Sequence, residues 1–303
     1  MTNLTRLPPN LNLIEVPEGD FDKAITSVVL SINLRRLGCS GRTTVSLKYP
    51  AEAKDKFLSL YRISPNVPLE FAVNEIVRLM QRALMCFDLL PIDVNDGLLC
   101  DRTFSALKQY IAQFSLQAPE ESEEGTQYNR VLAHLFSSVQ AARHMLHVLG
   151  HITPKDPYQD VTAFRKSIIA FEESHNVEPT GFITGILLSK LFFMAFRENT
   201  ALIKTKNPKI DEQTGTDQNQ NNPFYSIQKK KKKAKPTVDL EQYIAITSID
   251  RLRYLWTGTG KTFVETDEPG HVEVGKEGNV HIGKHIKRAT NLVVSFQLTF
   301  FFE

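Results

Sequence analysis

The chain has 303 residues, of which 42% are apolar, and this is enough for one large hydrophobic core or two modest ones. Its formal net charge is only +2, so the protein as a whole is not a basic nucleic-acid binder and any basic function must be local. Three widely spaced cysteines, Cys39, Cys86 and Cys100, include no CxxC pair and predict reduced, partly buried thiols in an intracellular protein.

Neither end of the chain resembles a membrane or export signal. The start has no apolar segment of the kind that a secretion signal needs. The longest apolar stretch, residues 292–302, is too short to cross a bilayer, which requires roughly 20 residues. These features predict a nuclear or cytoplasmic protein.

The chain opens with residues 1–19, which are rich in Pro and Asn and predict an extended arm. Apolar residues then recur every three or four positions, which predicts amphipathic helices, with Asp20 and Asp101 as caps for two of them. The predicted helices cover residues 21–37, 53–61, 69–90, 103–114, 128–149, 160–174 and 184–196.

After residue 199 the composition changes sharply. Residues 200–236 are rich in Asn, Gln and Lys and poor in large apolar groups, which predicts a disordered, Lys-rich linker. A further helix is predicted over residues 237–257, followed by a tail with some strand character. The expected organisation is an extended arm (1–19), a helical region with a first unit (20–127), a second helical unit (128–199), the linker (200–236) and a C-terminal helix with an irregular or strand tail (237–303).

Two segments of the helical region share a plan. Each passes from a helix through a corner, Asp96-Gly97 in one and Thr180-Gly181 in the other, into a further helix. Gly97 and Gly181 permit a positive φ at these corners. The middle helix of the first unit fits the pattern T-x-x-A-l-x-x-F through Thr103, Ala106, Leu107, Tyr110 and Phe114, and the second unit fits through Phe164, Ile168, Phe171 and Gly181.

These units resemble the peptidoglycan-binding-like domain, a small three-helix fold. The resemblance does not imply glycan binding, because a chain without an export signal meets no peptidoglycan and a fold does not carry a function. The predicted fold is therefore mainly α, with two tandem three-helix peptidoglycan-binding-like units in one helical core, then a disordered linker and a small C-terminal segment.

A second resemblance covers roughly residues 20–260. It rests on five strings that occur in order, LRRLGCSGRTTVSL, KFLSLYRISP, DGLLCDRTFSAL, LGHITPKDPYQDVTAFRKSIIAFEESHNV and VDLEQYIAITSIDRLRYLWTGTGK. Together they resemble the C-terminal half of fungal Stb-type proteins, which are known as binders of the Sin transcriptional co-repressor. The resemblance implies a protein partner, such as a Sin-type co-repressor complex, and a link to transcriptional repression. We expect the N-terminal domain that names this group to be missing.

No catalytic, cofactor-binding or metal-binding set of residues stands out. The sequence Gly258-Thr259-Gly260-Lys261-Thr262 has Leu255 where a phosphate-binding loop has its first glycine, and it follows a predicted helix instead of a strand. His144, His147 and His151 are spaced for one helix face, but Gly150 is expected to end the helix before His151. The sequence therefore predicts a non-enzymatic interaction scaffold without a small-molecule substrate; the alternatives are a nucleotide-binding or hydrolase-accessory protein and a peripheral membrane-surface adaptor.

Two local features bear on partners. The lysine run consists of Lys229, Lys230, Lys231, Lys232, Lys233 and, after one alanine, Lys235. It could be a solvated linker or a nuclear-import signal, and it could bind nucleic acid or anionic lipid weakly. Trp256, the single tryptophan, is a possible docking anchor, since Trp is favoured at interaction hot spots.

Overall fold

The structure is a computed structural model that describes residues 12–40, 48–116, 124–206, 235–259, 273–274, 280–281 and 298–302. This part of the chain is mainly helical, as predicted. The helices are α1 (Phe21–Arg36), α2 (Ala51–Tyr61), α3 (Leu69–Cys86), α4 (Asp101–Gln113), α5 (Glu124–Val148), α6 (Val161–Ser174), α7 (Gly185–Lys206), α8 (Leu240–Ile246) and α9 (Asp250–Thr257).

Short strands accompany the helices. Strand β1 (Asn12–Val16) lies parallel to β4 (Leu298–Phe302), while β2 (Glu273–Val274) and β3 (Val280–His281) form an antiparallel pair. A single turn of 3-10 helix, Pro17–Gly19, joins β1 to α1.

Several helix ends differ from the predicted ones. Helix α3 ends at Cys86 instead of residue 90, because Asp88 takes a positive φ of 60° and the Leu89 amide turns back to the carbonyl oxygen of Leu84 at 3.1 Å. Asp101 is the first residue of α4 and not its cap; its carboxylate pairs with Arg36 instead. Helix α7 continues to Lys206, into the segment predicted to be disordered.

The C-terminal helix is also divided. The sequence predicts one helix over residues 237–257, but the structure has α8 and α9 with three non-helical residues, 247–249, between them. Thr247 has extended backbone angles, φ −69° and ψ 134°, so the chain turns there and presents a second short apolar face.

One continuous core joins both predicted units. Helix α3 lies at its centre and contacts α1, α4, α5 and α6. Large aromatic side chains from the whole helical region are buried in this core, namely Phe57, Tyr61, Tyr110, Phe136, Tyr158, Phe164, Phe171 and Tyr243. The peptidoglycan-binding-like assignment of the units and the predicted domain boundaries stay predictions.

One face of α3 is polar although it is buried. Glu75, Arg78, Gln81 and Arg82 are each less than a tenth exposed. Because these residues recur at three and four positions, they share one side of the helix. That side meets the loop before α4 and the segment that contains α9, so both are held by polar contacts as well as by apolar packing.

Candidate protein-interaction surface

Both corner glycines have the positive φ that the sequence analysis expected of them. Gly97 has a φ of 74° and Gly181 has a φ of 71°. A Cβ atom on Gly97 would lie 1.7 Å from Oδ1 of Asn74, and one on Gly181 would lie 3.0 Å from Cγ1 of Ile169. The first corner therefore needs glycine for space as well as for its backbone angle, while the second is less tightly enclosed.

The first corner is held by buried amide side chains. Oε1 of Gln81 accepts a hydrogen bond from the Gly97 amide at 3.0 Å, and Nε2 of Gln81 donates to the Leu98 carbonyl oxygen at 3.1 Å. Asn33 of α1 donates to the Gly97 carbonyl oxygen and accepts from the Leu99 amide, both at 2.8 Å. The corner thus fixes α1, α3 and the start of α4 relative to one another.

The second corner has an equivalent anchor, which is a carboxylate. Glu172 is only 3% exposed; its Oε2 accepts from the amides of Thr180 and Gly181, each at 2.8 Å, and its Oε1 accepts from the Thr180 hydroxyl at 2.7 Å. No role was assigned to Glu172 or to Gln81 in the sequence analysis. The available signal was a polar residue on the apolar stripe of the helix before each corner.

Residues 235–259, here called the docked segment, pack back onto the helical core. Ser137 of α5 exchanges hydrogen bonds with the Thr237 backbone, accepting from its amide at 2.8 Å and donating to its carbonyl oxygen at 3.1 Å. Tyr243 of α8 is fully buried, and its hydroxyl lies 3.4 Å from that of Tyr158. The docked segment therefore completes the core.

Trp256, the predicted docking anchor, is half-buried within the same chain. Its Nε1 donates to the carbonyl oxygen of Tyr61 at 3.2 Å, and its ring meets that of Tyr243 edge-on at 5.7 Å. Close by, the Ser64 amide donates to the Leu255 carbonyl oxygen at 2.9 Å. These contacts attach α9 to the end of α2, so in this structure Trp256 anchors the docked segment.

A buried ion pair also attaches α9 to α3. Nη1 of Arg251 lies 3.4 Å from Oε1 of Glu75, and both side chains are less than a tenth exposed. Asp156, between α5 and α6, belongs to the same charged neighbourhood: burial raises its pKa, although Arg251 and the amides of Tyr158 and Gln159 act to lower it. The docked segment is thus held by charge as well as by apolar contacts.

The reactive residue types are mostly buried or engaged. All three cysteines are free and buried, and burial raises the pKa of both Cys39 and Cys86 to about 12, so these two are protonated at neutral pH. His134 lies 2.7 Å from the Tyr110 hydroxyl, and burial lowers its pKa. Among the described residues, no group of three or more His, Cys, Asp or Glu side chains could hold a metal ion.

The two motifs that suggested a ligand are not assembled into a site by the described residues. Helix α5 ends at Val148 and Gly150 has a φ of 86°, so His151 leaves the line of His144 and His147. Helix α9 precedes the glycine-rich sequence where a phosphate-binding loop requires a strand, and residues 260–262 lie outside the described part.

Helix α7 carries a face that the core does not cover. Ile186 is 84% exposed and Phe193 is 65% exposed, while Leu187, Leu191 and Ala195 of the same helix are buried. Lys190 and Arg197 occupy the same face, at i+4 and i+11 from Ile186. We call these four residues, Ile186, Lys190, Phe193 and Arg197, the α7 ridge.

Of the lysine run, only Lys235 is described; Lys229 to Lys233 lie outside the described residues. Nζ of Lys235 lies 5.1 Å from the centre of the Phe192 ring, so the start of the docked segment contacts α7. No helix in the described ranges is long and apolar enough to span a bilayer.

Comparison with known proteins points to one group. Residues 1–37 match the family model of the STB6-like N-terminal domain, which corrects the expectation that this domain is missing. The chain is 26% identical to Protein STB2 of Saccharomyces cerevisiae over 247 residues, covering 68% of this chain and 28% of that protein. It is 24% identical to Protein STB6 of the same yeast over 303 residues, covering 88% of this chain and 39% of that protein.

The chain therefore spans well under half the length of either curated relative. No solved structure matches it. The match at residues 1–37 lies at the start of the chain, largely before the strings identified in the sequence. The predicted resemblance is thus confirmed: the chain is similar to the fungal Stb-type proteins.

Proposed function

We propose that this chain is a non-enzymatic protein-interaction scaffold that contacts a Sin-type co-repressor complex and takes part in transcriptional repression. The similarity to Protein STB2 and Protein STB6 supports this function, because the resemblance to Stb-type proteins implies a Sin-type co-repressor partner. The observation that carries the proposal is the α7 ridge, with Ile186 and Phe193 exposed on a helix that is otherwise packed on the core.

The energetics favour a protein partner at this face. Fully burying a side chain of this size stabilises a complex by about 1.5–3 kcal/mol, so Ile186 and Phe193 together could supply most of the affinity of a modest interface. Trp256, which the sequence suggested for this role, already contacts Tyr61 and Tyr243 of the same chain. The α7 ridge is therefore the better docking candidate among the described residues.

The proposed site of action is the nucleus, with the lysine run as the import signal. Five adjacent ammonium groups repel one another and stay solvated, which suits recognition by an acidic receptor. Replacing Lys229 to Lys233 by Gln in a fluorescent fusion should shift the protein to the cytoplasm. Unchanged nuclear signal would instead favour the solvated-linker interpretation of the run.

A binding experiment with purified components tests the proposed function. The full chain is immobilised and titrated with a purified Sin-type co-repressor, alongside the double variant Ile186→Ser/Phe193→Ser. The matched control is Ile92→Ser/Ile152→Ser, because these two isoleucines are also exposed, at 54% and 94%, but lie outside α7. We expect the α7 variant to bind at least tenfold more weakly and the control to bind like the parent chain.

The result that would overturn the proposal is co-repressor binding that neither variant changes, or no binding by the parent chain. Circular dichroism and thermal unfolding of each variant check that the fold is intact. Since both pairs replace exposed side chains, we expect unfolding free energies within about 0.5 kcal/mol of the parent.

A further inference from the structure

The α7 ridge alternates apolar and basic residues. Ile186, Lys190, Phe193 and Arg197 follow one another at intervals of four, three and four positions. With a rise of about 1.5 Å per residue, they span roughly 16 Å along one side of the helix. This is the length over which a partner helix of three turns can present its own side chains at matching intervals.

The positive charges of the ridge are not neutralised within the described residues. No acidic residue occurs anywhere between Phe182 and Arg197. Neither the Lys190 ammonium nor the Arg197 guanidinium forms an ion pair or side-chain hydrogen bond with a residue whose side chain the structure describes. By contrast, Arg36 and Arg62, on α1 and at the end of α2, pair with carboxylates of the same chain.

A third positive charge lies at the border of the ridge. Lys235 is exposed and its ammonium group rests over the ring of Phe192, the residue before Phe193. The ridge is therefore apolar along its centre and positive at its sides, and the acidic residue of α7, Glu198, comes directly after the ridge in the sequence and not within it. A partner that buries Ile186 and Phe193 and also carries negative charge is therefore favoured over a neutral or basic one.

We propose that the α7 ridge binds an acidic amphipathic helix of the partner, with the partner's apolar stripe on Ile186 and Phe193 and its carboxylates against Lys190 and Arg197. The inference rests on the proposed function for the use of α7 as the docking face, and it adds the chemistry of what docks there. A contact confined to one helix face buries less than the roughly 1,200 Å² of a stable interface, so the ridge alone binds weakly, in the micromolar range.

The test uses two synthetic helical peptides of about 20 residues that share one apolar stripe of Leu. The first carries Glu at the flanking positions and the second carries Lys there. Fluorescence anisotropy measures the binding of each peptide to the full chain. We expect the Glu peptide to bind at least about tenfold more tightly than the Lys peptide, and to weaken as salt is raised from about 0.05 to 0.5 M.

A charge exchange provides the sharpest outcome. The variant Lys190→Glu/Arg197→Glu should bind the Lys peptide more tightly than the Glu peptide, which reverses the order of affinities. The variant Ile186→Ser/Phe193→Ser should bind neither peptide. The matched control, Lys54→Glu/Lys155→Glu, makes the same change in net charge at exposed positions outside α7 and should preserve the original order. Equal binding of the two peptides to the parent chain, or an unchanged order after the exchange, overturns the inference.

Other occupants of the ridge give distinct results that also overturn it. A second copy of this chain would produce a concentration-dependent dimer in light scattering that Ile186→Ser/Phe193→Ser abolishes. A membrane would produce binding to vesicles with about 30% anionic lipid that the charge exchange removes, with no preference between the peptides.

Failure of the inference is distinguishable from failure of the proposed function. If Ile186→Ser/Phe193→Ser weakens co-repressor binding but Lys190→Glu/Arg197→Glu does not, the result supports the proposed function and contradicts the acidic partner. If the chain binds the Glu peptide more tightly than the Lys peptide but does not bind the co-repressor, the result supports the proposed chemistry of the ridge and contradicts the proposed partner.

Discussion

The ion pair between Arg251 and Glu75 provides a sharp test of how the docked segment is held. At the observed 3.4 Å, with an effective dielectric constant of about 20, the attraction is about 5 kcal/mol. Removing both charges from water costs a similar amount, so the intact pair adds little net stability. Losing one partner is different, because the remaining buried charge keeps its desolvation cost without compensation.

Arg251→Met should therefore lower the free energy of unfolding by about 3–5 kcal/mol. The variant leaves the carboxylates of Glu75 and Asp156 without the nearest guanidinium of α9. In Glu75→Met/Arg251→Met no unpaired charge of this pair remains, so most of the loss should be recovered.

Urea unfolding followed by two signals measures these costs. Trp256 is the single tryptophan and belongs to α9, so its fluorescence reports on the docked segment, while circular dichroism reports on all helices. Coincident transitions mean that the segment unfolds with the core, as its buried contacts predict. The single variant Glu75→Met is measured as well. The reasoning would be refuted if Glu75→Met/Arg251→Met lowered the free energy of unfolding by the sum of the losses in the two single variants, or if Arg251→Met lowered it by less than about 1 kcal/mol.

Further predictions concern the two corners and one buried carboxyl. Gly97→Ala should cost at least about 2 kcal/mol more than Gly150→Ala in urea unfolding, because both have a positive φ but only the Cβ at Gly97 meets Asn74; equal costs would show that space is not limiting. Glu172→Ala should cost about 3–5 kcal/mol and Glu172→Gln about 1–2 kcal/mol, since the amide can still accept from the Gly181 amide; indistinguishable costs in the same assay would contradict the anchoring role. The pKa of Asp156 is raised above 3.8, so its charged form destabilises the folded state at neutral pH and this penalty fades as the carboxyl is protonated. The stability difference between Asp156→Asn and the parent should therefore shift in favour of the parent as pH falls from about 7 to about 4, and a difference independent of pH would contradict the raised pKa.

The helices of the core could be predicted because their buried apolar residues recur every three or four positions in the sequence. The apolar stripe of α3, from Phe71 to Leu84, follows the period of a helix over almost four turns, and no other local structure suits that pattern. Helix ends were less accessible. The end of α3 depends on the positive φ of Asp88, and the break between α8 and α9 interrupts an apolar pattern that continues through Ile249.

The candidate surface was harder to predict from the sequence than the core. Ile186 and Phe193 look like the buried residues beside them, and only the packing of α7 on α5 decides which side remains exposed. Trp256 shows the reverse: its type suggested a partner contact, but the return of the docked segment to α2 gives it a neighbour within the chain. Exposure depends on contacts between distant parts of the chain, which periodicity alone does not contain.

The polar anchors of the corners were missed for a related reason. Gln81 and Glu172 bind amides that lie 16 and 9 positions away, and such pairs leave no mark in a periodic pattern. What the sequence did reveal was the need for a permissive residue at each corner, through Gly97 and Gly181, whose φ values of 74° and 71° are positive.

The most direct test of the α7 docking face is hydrogen–deuterium exchange of the full chain with and without a purified Sin-type co-repressor. The proposed function predicts that amides in residues 185–197 of α7 exchange more slowly in the complex, because docking on Ile186 and Phe193 suppresses local opening of that helix. Amides of α2, on another part of the core, should exchange at unchanged rates. Slower exchange confined to helices other than α7, with α7 unaffected, would contradict the account.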